Sequence, residues 1–187
     1  MRRRNIGLII AGIALLIAII AVIGSYNNLV EMDEEVKTAL SQIDNQLQRR
    51  NDLIPNLVET VKGYATQEKE IFTEIANARA KLAGADTLAE KAAASAEVSQ
   101  VLSRLLVITE NYPQLKSDEN FKSLSDELAG TENRIAQARR DYNNKAKEFN
   151  TKIRRFPTSL VASIFNFEKY EYFEASEQSK EVPKVQF

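Results

Sequence analysis

Histidine, cysteine and tryptophan are absent from this 187-residue chain, and each absence removes chemistry. Zinc sites built on Cys or His are excluded. Cys-His and Ser-His-Asp catalysis are excluded, and so is the di-iron centre of many helical bundles, which needs a Glu-x-x-His pair. Without Cys there is no disulfide, which is compatible with an oxidising compartment without requiring one. Glycine and proline are scarce, at six and four residues, and long alternating β-branched runs are missing. That composition favours long helices. Neither sign of charge dominates, with 25 Lys and Arg against 26 Asp and Glu, so no broad basic field exists to hold a nucleic acid backbone and no nucleic acid partner is expected. Gly7 and Gly12 are spaced like half a phosphate loop, but the Lys-Ser/Thr that would follow is absent and the pair lies inside an apolar run.

That apolar run, residues 6–24, is uncharged and follows Arg2, Arg3 and Arg4. At ~1.5 Å per residue it spans roughly 28 Å, close to the thickness of a bilayer core. The rival reading is a cleaved signal peptide, but the run is longer than the usual apolar region and Val22-Ile23-Gly24-Ser25 makes a poor cleavage site. We therefore expect an uncleaved, single-pass anchor preceded by a short cytoplasmic tail over 1–5. Beyond the run come Glu31, Asp33, Glu34 and Glu35, with Lys37 the only nearby cation. Basic residues are retained on the cytoplasmic side, so the larger part is expected on the extracytoplasmic face of the cell (inner) membrane. Gly7, Ala11, Ala14 and Ala18 are candidates for packing between membrane helices.

From 25 to 157 the apolar spacing predicts four helices, at about 25–51, 53–83, 88–112 and 118–155. Leu29, Val36, Leu40, Ile43 and Leu47 form the first stripe, and nothing before it forbids continuity with the anchor. A reversal is expected at 52–58, with Asp52 capping the next helix and Pro55 in its first turn. Arg49 and Arg50 then suit the negative end of the preceding helix, and Arg49, Arg50, Asp52 and Asn56 become a candidate polar patch at the bundle tip. Gly63 falls in the interior of the second helix, and Gly84-Ala85-Asp86 ends it. Thr87-x-x-Glu90 fits a capping box for the third. Tyr112-Pro113 stops that helix, and Phe156-Pro157 closes the fourth. Asp33/Lys37, Asp118/Lys122, Asp141/Lys145 and Glu148/Lys152 are i,i+4 pairs of favourable order. The expected fold is all-α: a transmembrane helix followed by an antiparallel bundle of four long helices.

Residues 158–187 hold an apolar and aromatic flap followed by a polar tail. Leu160, Val161, Ile164 and Phe165 would share a face, followed by Phe167, Tyr170, Tyr172 and Phe173. Either the flap covers the bundle end, or these eight residues contact lipid or a neighbouring subunit. Helix length bears on the choice. The four expected helices are roughly 40, 47, 37 and 57 Å long, so an upright bundle would bring the end of the last one to the bilayer.

The chain resembles the LemA family over nearly its whole length. The residues that carry the resemblance are Tyr26-Asn27-Asn28-Leu29-Val30, the stretch from Ser41 through Ile43, Asp44, Gln46, Leu47, Arg49, Arg50 and Asp52 to Val58, and Val61-Lys62-Gly63-Tyr64-Ala65. They continue with Thr131-Glu132-Asn133-Arg134-Ile135-Ala136, Arg139-Arg140-x-Tyr142-Asn143, Phe149-Asn150-Thr151, Phe165-x-Phe167 and Tyr172-Phe173-Glu174-Ala175. The resemblance implies a short tail, one membrane helix and a helical bundle with no established enzymatic activity. A relative from bacterial magnetosome membranes makes membrane organisation or shaping the expectation, by analogy. Some relatives carry the bundle inside the cell, an orientation the three leading arginines argue against here. Glu59, Glu68, Glu74, Glu132 and Asp141 could in principle serve a carboxylate-only enzyme, but they read as solvated helix faces. No catalytic, cofactor-binding or metal-binding residue is assigned. The expected role is a membrane-anchored, non-enzymatic structural or scaffold protein that self-associates. The alternative is an extracytoplasmic binding or accessory module for another membrane protein complex. Expected partners are the lipid bilayer, further copies of the chain and, in the alternative, that second membrane protein.

Overall fold

The computed structural model describes residues 2–174, with side chains from residue 8 onward. Among the described residues the chain is all-helical, without strands: α1 (Arg2–Lys62), α2 (Lys69–Ala83), α3 (Leu88–Thr109), the short α4 (Pro113–Ser117), α5 (Glu119–Lys152) and α6 (Thr158–Ile164). Two compact units divide it. Among the described residues, one comprises 2–39 and Asp141–Glu171, the other Leu40–Arg140 and 172–174.

The apolar run and the first soluble stripe belong to one helix, α1, whose stretch from Leu8 onward is long and apolar enough to cross a membrane. Every residue from 8 to 24 is exposed. Burial then begins abruptly, and it keeps a seven-residue period. Leu29, Val36, Ile43, Arg50 and Leu57 are each at most 1% exposed, and Leu47, Ile54 and Val61 repeat on the adjoining row. This is the a/d rhythm of a helix that offers one seam to its neighbours.

The reversal expected at 52–58 does not occur there. Pro55 lies inside α1, which continues to Lys62. A proline in a helix interior removes the bond its N–H would make to the carbonyl four residues back and crowds that carbonyl. Ile54, Leu57, Val58 and Val61 are buried around it, and keeping them in register favours an unbroken helix. The chain turns over 63–68 instead. Gly63, expected in a helix interior, sits in this turn, where the amides of Tyr64 and Ala65 both donate to the Val61 carbonyl at 3.0 and 2.9 Å.

Local signals open α3, α4 and α5. The Glu90 amide donates to Thr87 Oγ1 at 3.2 Å and the Thr87 amide to Glu90 Oε2 at 2.9 Å, so the capping box opens α3 as the spacing predicts. Pro113 takes the first turn of α4, where its missing N–H has no helical partner to lose. Asp118 precedes α5 and accepts from the Phe121 amide at 2.9 Å. That bond and the Tyr64 hydroxyl hold its carboxyl below the usual range. Along α5 the seven-residue spacing recurs, with Phe121, Leu128, Ile135, Tyr142 and Phe149 all buried.

Candidate functional site

In the first unit the aromatic residues after α6 are fastened to α5 and α1. Asn150, 7% exposed, donates through Nδ2 to the Tyr170 carbonyl at 2.8 Å and accepts from the Tyr170 amide at 2.9 Å. The buried Tyr142 hydroxyl donates to the Glu171 carbonyl at 2.7 Å. The Tyr170 hydroxyl donates to Asp33 on α1 at 2.8 Å. Burial first, and then this bond to a carboxylate, push the Tyr170 phenol up to about 12. Lys37 bridges the same carboxylate at 2.8 Å. Lys145 pairs with Glu35 of α1 at 2.9 Å, a longer-range partner than the Asp141 suggested by its helix spacing.

These bonds place a ladder of rings. Phe149 meets Tyr170 and Phe167 at centroid distances of 5.3 and 6.1 Å. Tyr26, two residues beyond the apolar run, meets Phe165 at 4.6 Å and Phe167 at 6.0 Å. Asn166 takes a left-handed φ of 55° between them, a conformation Asn tolerates. The Phe167 amide reaches back to the Ala162 carbonyl at 2.9 Å, which closes the C-terminal end of α6.

α6 is thereby two-faced. Thr158, Val161 and Ala162 are buried, while Leu160 is 57% and Ile164 70% exposed. Phe156 at 80% and Phe165 at 48% extend the outer face. The contact set read from the sequence divides accordingly. Leu160, Ile164 and Phe165 are accessible, and Phe167 and Tyr170 are half-buried in the ring ladder. The expectation that Val161 shares the outer face is corrected, because the helical turn points it inward at 4% exposure. In the second unit Tyr172 is exposed, whereas Phe173, 5% exposed, lies beneath the Arg139 guanidinium, 4.5 Å from its ring centre. Beside α5 in the first unit is a groove of about 400 Å³ whose lining includes Met32, Lys147, Glu148, Lys152 and Arg155.

The second unit holds a polar network that sequence reasoning missed. Arg50 is 1% exposed. It donates to the Ser95 carbonyl at 2.7 Å, Ser95 Oγ at 3.0 Å and Ser99 Oγ at 3.1 Å, and it pairs with Glu132. Arg139 donates to the same Ser95 hydroxyl at 2.7 Å. Burial pulls the Arg50 guanidinium below its ordinary value and Glu132 pulls it back up; burial and then Glu132 act on Arg139 in the same opposing senses, and Arg50 lowers it further. The signal was present in the spacing: Arg50 stands seven residues after Ile43 and seven before Leu57, so it occupies an inward position.

The expected tip patch is therefore dispersed. Arg50 is interior, exposed Arg49 pairs with Glu127, Asp52 accepts from Gln48 at 2.8 Å, and Asn56 is exposed within α1. The polar cluster at a turn lies elsewhere. Tyr64 donates to Asp118 at 2.9 Å, and the Tyr112 hydroxyl joins Gln67 at 2.7 Å to Glu68 at 3.0 Å. Of the small residues on α1, Gly7 lies outside the residues whose side chains are described; Ala11, Ala14 and Ala18 are exposed. The polar tail from 175 onward also lies outside the described residues.

Comparison with known proteins places these features in context. The model of the LemA family matches residues 39–187. The chain is 30% identical over 176 residues to magnetosome protein MamQ 1 of Paramagnetospirillum magneticum, covering 80% of this chain and 64% of that protein. It is 29% identical over 193 residues to magnetosome protein MamQ of Magnetospirillum gryphiswaldense, covering 89% and 71%. It is 28% identical over 156 residues to protein LemA of Metamycoplasma hominis, covering 83% and 71%. The chain thus spans just under two thirds of the length of the first of these relatives.

Proposed function

The chain belongs to the LemA family, and on that premise we propose that it is a membrane-anchored, non-enzymatic scaffold that self-associates and organises or shapes the membrane holding it. One observation carries the reading. A single helix, α1, passes without interruption from a wholly exposed apolar stretch over 8–24 into a buried seam beginning at Leu29. Exposed on every side, the first part is suited to lipid; the second part is suited to protein. In this reading α1, α2, α3 and α5 form a four-helix bundle within the second unit, the N-terminus is cytoplasmic, and the bundle is extracytoplasmic in the inner membrane. The three arginines before the apolar run support that orientation. The lack of His and Cys supports a role without catalysis, and Arg50, Ser95, Ser99 and Arg139 are engaged with one another or with Glu132. The magnetosome names of two relatives favour a task in membrane organisation.

The test is the mass and shape of the full chain after gentle solubilisation. A ring, cage or lattice agrees with the scaffold. A monomer or dimer that co-purifies with one other membrane protein refutes it in favour of an accessory module. Orientation has its own test. The chain lacks Cys, so Glu119→Cys at an exposed position supplies a single thiol. An impermeant maleimide added to intact cells (with the outer membrane permeabilised, if there is one) labels it if the bundle is outside; labelling only after the inner membrane is opened refutes the orientation.

A further inference from the structure

We propose that α6 is a second membrane contact, whose outer face enters the headgroup region of the leaflet that α1 leaves and prefers anionic lipid there. The proposal rests on the reading that 6–24 spans the bilayer. Phe156, Leu160 and Ile164 are largely exposed and Phe165 is half exposed, which gives α6 an apolar outer face. Its level relative to the anchor is set by a direct contact, since Phe165 packs on Tyr26 at a centroid distance of 4.6 Å. Tyr26 follows Gly24 by two residues, about 3 Å along the helix. The ring contact therefore holds the end of α6 at the edge of the hydrocarbon, where aromatic side chains with one apolar and one wet end are favoured.

Charge agrees with that placement. Arg154 and Arg155 are exposed immediately before Phe156, and Lys152 and Arg155 line the groove beside α5 with Lys147 and a single acid, Glu148. Long cationic side chains at this depth bury their stems and reach the phosphates. A second copy of the chain fits less well. The four apolar residues expose on the order of 500 Å² in all, short of the ~800 Å² per partner that a stable dimer buries.

The lack of Trp in the chain makes the test direct. The full chain would be reconstituted into vesicles of phosphatidylcholine alone or with an equal part of phosphatidylglycerol. Four variants would each carry one reporter: Phe156→Trp, Ile164→Trp, Leu15→Trp within the apolar run, and Val107→Trp on the exposed side of α3. The expected result is that the first two emit to the blue of the Val107→Trp reporter and lose intensity to a quencher carried near the lipid headgroup. Leu15→Trp should lose it to a quencher deep in the acyl chains, and Val107→Trp only to aqueous iodide. Phe156→Trp and Ile164→Trp behaving like Val107→Trp, with Leu15→Trp still quenched from the bilayer centre, overturns the contact and leaves the anchor standing. Leu15→Trp quenched from water overturns the anchor and the contact with it. A blue shift that grows with protein density and ignores lipid quenchers assigns the face to a second copy and overturns the proposal. Arg154→Gln with Arg155→Gln should abolish the extra headgroup quenching seen with phosphatidylglycerol; equal quenching in both vesicle types before substitution overturns the anionic preference.

Discussion

Truncating Arg50 tests the interior of the second unit. In Arg50→Ala the three bonds to Ser95 and Ser99 and the pair with Glu132 disappear, yet few partners are stranded. Ser95 Oγ still accepts from Arg139 at 2.7 Å, and Ser99 Oγ still donates to the Ser95 carbonyl at 3.0 Å. The Glu132 side chain is 49% exposed and can hydrate. Arg139 is also relieved of a like charge, which Arg50 now imposes on it. The penalty is therefore mostly lost packing and a cavity at an inward position. Breaking a buried pair costs about 3–5 kcal/mol and truncating a large core side chain costs about the same. With so few acceptors orphaned, the lower end applies, about 3 kcal/mol. For a domain of this size that lowers the melting temperature by roughly 10 °C. Arg50→Met restores apolar volume at the same register, and apolar replacement of buried ionic groups is often neutral. It should stay within about 1 kcal/mol of the parent. The assay is thermal unfolding of the full chain in detergent, followed by circular dichroism. A loss below about 1 kcal/mol for Arg50→Ala, or a Met variant as unstable as the Ala variant, refutes the reasoning. Arg49→Ala is the internal control: its pair with Glu127 is exposed, and such pairs contribute little.

Three further outcomes follow. Pro55→Ala should raise the melting temperature, because a helix interior regains an N–H and loses a clash, about 1–3 kcal/mol in favour of folding; no gain or a loss would mean that the chain turns at Pro55 after all. Asn150→Ala removes both bonds to the Tyr170 backbone, at a cost of about 2 kcal/mol, and should speed proteolysis between Phe165 and Glu174; an unchanged cleavage rate would show that the ring ladder and the bonds from Tyr170 to Asp33 and from Tyr142 to Glu171 suffice to hold this segment. The Tyr170 phenol, raised from 10.0 to about 12 in the folded chain, contributes stability that is complete below the unfolded value and is lost as pH rises through the folded one. Unfolding temperatures followed from pH 9 upward should fall less steeply in Tyr170→Phe than in the parent; parallel curves would remove Tyr170 as the cause.

Sequence alone was sufficient wherever a signal is contained within one helical turn or one continuous run. The all-helical class, the apolar stretch before Ser25, the Thr87/Glu90 box and the Asp118 start are of this kind, because capping and hydropathy act over a few residues. Asp52 and Pro55 show the limit. The same residues satisfy the local rules for a helix start and for a helix interior that tolerates one proline, and the choice between them lies in whether Ile54, Leu57 and Val61 keep the phase of Val36, Ile43 and Leu47. Phase matters only once neighbouring helices fill the seam, so the tertiary structure decided it, and with it the inward turn of Arg50. The pairing of Asn150 with Tyr170 and the tilted contact of Tyr26 with Phe165 were likewise decided by the fold. They join residues far apart in the chain, and no local periodicity encodes which of two exposed aromatic faces will meet.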